Sequence, residues 1–194
     1  MYNNQNGAAR AKVLIFVVAL CVVSLIALKK IRVNTMINQI ANLGATVAQQ
    51  SAHASEIIEK YKGDYALFLY KTNNLPAGLS YDNGLIQAAN SAKIKATVDA
   101  DGIVLMEISN LNTDSCVKIA TKNWGYRQTT HFVGTGIGGA PDFSCLKLNN
   151  CKFNYVETFS GTADYPFTVD RATYPCSLYE QTNQPASVYL GYKL

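Results

Sequence analysis

The most pronounced pattern in the chain is an uninterrupted apolar run near its start. Residues 13–28 read VLIFVVALCVVSLIAL and carry no charge. As a helix this run spans about 24 Å, and counting from Ala8, with Arg10 and Lys12 extending toward the surface, gives about 31 Å. A hydrocarbon core is about 30 Å thick, so the run predicts a transmembrane helix. A cleaved secretory signal is the alternative, but two lysines follow the run where a small-residue cleavage site would lie.

A helical periodicity continues beyond the apolar run, and the first proline is Pro76. Apolar or small residues recur at gaps of three, four or seven, which is the spacing of one helix face. These positions are Val33, Ile37, Ile40, Gly44, Val47, Ser51, Ala54, Ile58 and Tyr61. The pattern predicts one continuous helix from about Ala9 to Lys62, with Gly63 as its stop. A membrane helix followed by a separate juxtamembrane helix is the alternative.

The rest of the chain predicts short strands with helical insertions. Alternating residues predict strands at 94–98 and 103–108, and segment 116–122 predicts a short helix with its N-cap at Thr113 or Asp114. The other predictions are an aromatic segment at 65–70 that is either helix or strand, a loop at 73–78, a short helix at 85–90, and strands near 129–133, 153–159 and 188–192. This order predicts an α+β fold in which a long N-terminal helix packs on an antiparallel sheet.

Four segments follow from these patterns. We expect a cytoplasmic N-terminal segment at 1–12, a transmembrane helix at 13–28, an amphipathic helix at 29–62 and a globular α+β head at 63–194.

Charge separates along the same boundaries. Five of the 17 basic residues flank the apolar run, and all 13 acidic residues follow it. From residue 33 onward there are 12 basic and 13 acidic residues. Nucleic-acid binding needs clustered positive charge, so we expect the head to bind no nucleic acid.

Four of the five cysteines lie in the predicted head and point to two disulfides. They are Cys116, Cys145, Cys151 and Cys176. Three pairings are possible, of which we favour a local Cys145–Cys151 loop with a long Cys116–Cys176 link. Basic residues on the two sides of the apolar run balance, so charge does not orient the chain. The disulfides therefore predict that the head faces an oxidising compartment.

The sequence offers little enzyme chemistry, and we expect no catalytic, cofactor or metal site. His53 and His131 are far apart and have no partner at a convincing spacing, and the cysteines form no C-x2-C pair. A glycine-rich stretch at 134–139 is followed by Pro141 and cysteines, where a phosphate-binding loop would have a helix. We interpret this stretch as a flexible surface loop.

This layout resembles type IV pilins and pseudopilins, most closely the type IVb branch. The resemblance is carried by Gly7 before the apolar run, the long helix, the loop AGLSYDNG, the predicted hairpin, the segment SCVKIATKNWG and the late Cys176. It covers most of the chain in architecture. It implies a structural subunit that is cleaved between Gly7 and Ala8, resides in the bacterial inner membrane with a periplasmic head, and joins an extracellular pilus or a related pseudopilus.

The same resemblance implies particular partners. These are other pilin-like subunits, contacted through the N-terminal helix, together with the inner-membrane assembly machinery and membrane lipid. Two positions differ from the family pattern: Asn6 stands where a basic residue usually precedes the glycine, and Lys12 stands where a glutamate usually follows the cleavage point. These differences favour a minor or capping subunit. The alternative is a membrane-tethered binding or adhesin module that does not polymerise.

Overall fold

The protein combines a long N-terminal helix with an antiparallel sheet, as the sequence predicts. The computed structural model describes residues 4–124, 132–138, 153–154, 158–159, 168–182 and 184–194. The helices in this part of the chain are α1 (Asn4–Gln49), α2 (Ala54–Tyr61), α3 (Tyr65–Lys71), α4 (Thr113–Ala120) and α5 (Val169–Gln181). The main strands are β1 (Ser80–Asp82), β2 (Leu85–Gln87), β3 (Lys93–Val98), β4 (Ile103–Leu111), β5 (Phe132–Ile137) and β8 (Ala186–Lys193). A separate pair consists of β6 (Phe153–Asn154) and β7 (Thr158–Phe159).

The main sheet has the order β1-β2-β3-β4-β8-β5, and all its neighbouring strands are antiparallel. The predicted hairpin is confirmed as β3 and β4, which pair from Lys93–Ser109 to Val98–Val104. Strand β8 lies between β4 and β5, so the last strand of the chain is internal to the sheet. The α+β fold is confirmed.

One buried face of the sheet meets the buried stripe of α1. Alternate residues of β3, β4 and β8 point to this face, because the side chains of a strand alternate between its two sides. The buried residues of α1 follow a three-four spacing: Val33, Met36, Ile40, Leu43 and Val47, each at most 1% exposed. Three of these five positions belong to the face predicted from the sequence; Met36 and Leu43 fit the same spacing but were not recognised.

The prediction of one unbroken helix to Lys62 is wrong. Helix α1 ends at Gln49, a 3₁₀ turn occupies Ser51–His53, and α2 begins at Ala54. The break redirects the chain so that Ile57 becomes fully buried. In a straight helix Ile57 would lie about 80° away from the direction of Val47. Burial against the sheet therefore competes with continuity of the helix.

The predicted helix at 85–90 is also wrong, because Leu85–Gln87 forms β2 and a 3₁₀ turn follows at Ala89–Ser91. Strands β1 and β2 form a hairpin around Asn83 and Gly84, which have φ of 49° and 81°. Asn-Gly favours such a turn because both residues tolerate positive φ. This signal was present in the loop AGLSYDNG.

Two further predictions in the C-terminal half need correction, and one helix there was not predicted. The N-cap of α4 is Asn112, whose side chain accepts a hydrogen bond from the Ser115 amide. Residues 134–137 of the glycine-rich stretch do not form a surface loop, because they are buried within β5. Helix α5 was not predicted, because Pro175 within it argues against a helix from sequence alone.

Candidate membrane-anchoring segment and its junction with the head

The first half of α1 presents an apolar surface that nothing in the described part of the chain covers. Every side chain from Lys12 to Arg32 is exposed. We call the uncharged part of this stretch, residues 13–28, the apolar half. Phe16 is 66% exposed and Leu25 is 67% exposed. The apolar window has a mean hydropathy of 2.5 and is 0% buried. By length and composition this helix meets the requirement for a membrane span, a property that signal sequences near an N-terminus share.

The boundary between the exposed part of α1 and the part buried in the head is sharp. Ile31 is 60% exposed, whereas Val33 is 1% exposed. Both residues belong to the same continuous helix α1, which runs on to Gln49. The exposed and buried halves are therefore joined by helical backbone, with no loop between them.

Gln39 ties this helix to two loops of the head. Its Nε2 donates to the Gly78 carbonyl oxygen, and its Oε1 accepts from the Ala89 amide, both at 2.7 Å. Gly78 has φ of 81°, and a Cβ there would lie 2.9 Å from Gln39 Nε2. Glycine thus lets the loop approach the helix closely enough for the bond. Sequence reasoning missed Gln39, because a glutamine on a polar-looking turn gives no sign of its partners.

One turn further along, the helix packs on the sheet through Gly44. Its backbone lies against the ring of Tyr192 in β8. Ala41, Gly44, Ala45, Lys122, Asn123, Trp124 and Tyr192 line a cavity of about 230 Å³ at this place. The Trp124 indole donates to the Ile119 carbonyl oxygen at 2.9 Å, and Lys122 Nζ lies 5.4 Å from its ring centre.

A disulfide joins α4 to α5. Cys116 and Cys176 are bonded, with their Cα atoms 5.8 Å apart, and both are fully buried. This is the long link favoured from the sequence. Cys145 and Cys151 lie outside the described residues, so their pairing stays a prediction. Cys21 is a free, exposed cysteine on the apolar half.

The other residues singled out from the sequence do not converge on one site. Gly7 and Ala8 lie within the backbone of α1, and cleavage between them stays a prediction. His53 is exposed at the end of the 3₁₀ turn, and His131 lies outside the described residues. Within the described ranges, no group of three His, Cys, Asp or Glu side chains is arranged to hold a metal ion.

Tyr65 and Tyr189 of the head, like Tyr179, have raised pKa values because burial disfavours the charged phenolate. Burial alone raises the pKa of Tyr65, which is 0% exposed. Burial and then the Glu107 carboxylate raise the pKa of Tyr189 to about 12. Tyr189 and Glu107 are paired positions on β8 and β4. Both phenols are therefore neutral near pH 7, and neither is poised for acid-base chemistry there.

An aromatic pair stands at the opposite edge of the sheet from β5. Tyr70 of α3 stacks on Tyr81 of β1 with ring centres 4.7 Å apart. Tyr70 is 56% exposed, so the pair presents an accessible aromatic surface. Tyrosine is enriched at contact surfaces.

Comparison with protein-family models, with curated proteins and with solved structures found no match.

Proposed function

We propose that this chain is a membrane-anchored, pilin-like structural subunit that assembles through its N-terminal helix into a type IV pilus or a related pseudopilus. One observation carries the proposal: a single helix has an exposed apolar half and a half that is built into the head. The first half suits lipid or neighbouring apolar helices, and the second half fixes the head to it. The chain then needs no catalytic residues for its task.

The exposed apolar half requires a nonpolar environment. Burial of a large apolar side chain contributes about 1.5–3 kcal/mol of free energy relative to its exposure to water. The side chains of the apolar half lack this contribution as long as they face water. Lipid supplies this environment before assembly, and a bundle of identical helices supplies it afterwards. Helices associate in such bundles by close packing of their side chains.

The continuous helix supports a structural role. Because α1 crosses from the apolar half into the head without a loop, the position of the anchor determines the position of the head. In a bundle of such helices, each head would be held at a defined place on the outside. The Cys116–Cys176 disulfide suits a head that faces an oxidising compartment.

A second candidate function is a membrane-tethered binding module that does not polymerise. In the type IV pilins that the chain resembles, the glutamate at this place pairs with the N-terminal amine of a neighbouring subunit. Lys12 favours the tethered module, because a lysine would repel that amine. The stacked Tyr70–Tyr81 pair, in which Tyr70 is exposed, would be one contact surface of such a module. The two functions share the anchor and differ in whether the helices associate.

The deciding experiment is the intact mass of the native protein purified from its own cells, together with its distribution between membranes and sheared filaments. Loss of residues 1–7 and recovery in the filament fraction support the subunit. A full-length chain that stays in membranes as a monomer supports the tethered module. A full-length chain in the soluble fraction contradicts both.

A Lys12→Glu variant sharpens this test. In the subunit, the glutamate would attract the N-terminal amine of a neighbour, so we expect more chain in the filament fraction. Lys12→Gln is the matched control, because it removes the positive charge without adding a negative one. Equal behaviour of the two variants would show that charge at this position does not govern assembly.

A further inference from the structure

Three basic residues lie within about one turn of α1 where the apolar half meets the head. We call Lys29, Lys30 and Arg32 the basic collar. All three side chains are exposed. The collar directly follows the apolar half. The first buried residue of α1 after the collar is Val33.

Helix geometry places two of the three beneath the head. Residues four apart lie one above the other on a helix face. Lys29 is four residues before Val33, and Arg32 is four residues before Met36, and both of these apolar residues are buried against the head. Lys29 and Arg32 thus extend the head-facing stripe of α1 by one turn, while Lys30 lies on its flank.

The same geometry directs these side chains toward the membrane. In a helix the Cα–Cβ bonds tilt toward the N-terminus, and long side chains lie over the preceding turn. For the basic collar, the preceding turn is the end of the apolar half. With the anchor proposed above inserted in a bilayer, the ammonium and guanidinium groups would lie at the level where the hydrocarbon region gives way to polar headgroups.

No carboxylate of α1 neutralises the collar. The first acidic residue of the chain is Glu56, which lies beyond the end of α1. The ion pairs found between described residues are Lys60–Glu56 and Lys118–Asp114, and neither includes the collar. Three positive charges thus stand within four residues of helix at this boundary.

We propose that the basic collar binds the phosphate groups of anionic phospholipids in the leaflet that the head faces. The proposal rests on the membrane anchor proposed above. Lysine acts on a phosphate as a point charge, and arginine adds a planar pair of donors. Positively charged juxtamembrane residues attract anionic lipid in this way. Lipid bound beneath the head would hold the head at a constant height above the membrane.

The experiment uses the full chain reconstituted in phosphatidylcholine vesicles that contain a trace of spin-labelled lipid. The relative association of labelled phosphatidylglycerol and labelled phosphatidylcholine with the protein is read from the motionally restricted part of the spectrum. We expect roughly a three- to tenfold preference for phosphatidylglycerol at low salt, and a smaller preference at high salt. In Lys29→Gln/Lys30→Gln/Arg32→Gln the preference should fall by about half or more, to the level that Arg10, Lys12 and the N-terminal amine sustain at the other leaflet.

A matched control removes three charges elsewhere. Lys60→Gln/Lys62→Gln/Lys95→Gln changes the net charge equally, at exposed positions of the head. Lys60 and Lys62 belong to the region of α2, where Ile58 lies beside Gly102 of the β3–β4 turn. The β3–β4 turn follows the last residue of β3. Ala89, which is bonded to Gln39 of α1, instead precedes the first residue of β3, so the two lie at opposite ends of this strand. This variant should keep the lipid preference.

The outcomes separate the collar from the anchor. A chain that alkaline washing removes from the vesicles contradicts the anchor, and the collar with it. An embedded chain with a ratio of about one in the wild type overturns the collar alone, as does equal loss of preference in the control variant. Displacement of labelled phosphatidylglycerol by inorganic phosphate, but not by chloride at equal ionic strength, would overturn the assignment to lipid and leave a site for free phosphate.

Discussion

Tyr192 packs its ring directly on the helix backbone at Gly44. A Cβ at Gly44 would lie 2.6 Å from Tyr192 Cζ, which is closer than two carbon atoms approach without repulsion. The ring is held from another side by Phe132, with ring centres 5.2 Å apart in an edge-to-face arrangement. Glycine thus permits the close approach of α1 to the sheet, although it costs a helix interior about 1 kcal/mol relative to alanine.

We therefore predict that Gly44→Ala lowers the free energy of unfolding, by about 1–3 kcal/mol, because the new methyl group forces Tyr192 or the helix to move. Urea unfolding of the full chain in detergent measures this. Asn42→Ala, at an exposed position of the same helix, should be neutral or slightly stabilising. In a Tyr192→Leu background, Gly44→Ala should raise stability. A stabilising effect in the wild-type background would contradict the steric explanation.

Gln39→Met should lower the free energy of unfolding by about 2 kcal/mol. The substitution keeps the side-chain length but leaves the Ala89 amide and the Gly78 carbonyl oxygen without this partner. The same urea experiment measures the loss, and Asn38→Met, exposed on the adjacent position, is the control. Equal stability of the two variants would show that the loops do not depend on Gln39.

The buried phenol of Tyr65 predicts a loss of stability at alkaline pH. Its hydroxyl has no hydrogen-bond partner among the described residues, and burial raises its pKa above the ordinary value of about 10. Folding thus favours the neutral phenol. The stability that the folded state gains in this way is fully present below about pH 10, and it declines as the pH rises toward the pKa of Tyr65 in the folded state. Tyr189, with a pKa raised to about 12, adds to the decline over the same range.

Tyr65→Phe tests this directly, through unfolding free energies of the full chain measured from pH 7 to pH 11. At pH 7 the variant should match the wild type or exceed it by up to about 1 kcal/mol, because no hydrogen bond to the hydroxyl is lost. Above pH 10 it should lose less stability than the wild type. Identical alkaline curves for the two proteins would exclude Tyr65 as a source of the decline.

Removal of the Cys116–Cys176 disulfide should lower the free energy of unfolding by about 4 kcal/mol. The two cysteines are 60 residues apart, and opening a loop of this length restores chain entropy to the unfolded state. Cys116→Ala/Cys176→Ala measures the effect under non-reducing conditions. Cys21→Ala removes the exposed cysteine of the apolar half and should change nothing. A loss below about 1 kcal/mol would show that the bond does not support the head.

Several elements were predictable because their signals are local. The apolar run and the helical spacing of Val33, Ile40 and Val47 can both be recognised from residues that are close together in sequence. The structure confirms a helix through both. The alternation in β3 and β4 is equally local. Helix α5 was missed for the opposite reason. Locally, Pro175 disfavours a helix, and it is buried contacts and the disulfide from Cys176 to α4 that hold this segment as a helix.

The candidate site divides in the same way. The basic collar and the apolar half could be located from the sequence, because the first is a local cluster of basic residues and the second an unbroken apolar run. That Lys29 and Arg32 lie beneath the head required the buried positions of Val33 and Met36. The bonds of Gln39 join residues 39 and 50 positions apart, and no sequence pattern links such partners.

By itself, the sequence determined the apolar half, the helical period that follows it and the α+β order of the elements, since these depend on residues within a few turns or strands of each other. Only the tertiary structure decided that α1 ends at Gln49, that β8 lies between β4 and β5, and which partner Cys116 takes. These features depend on contacts between distant segments. Their energies come from burial of the whole core, which local patterns do not contain.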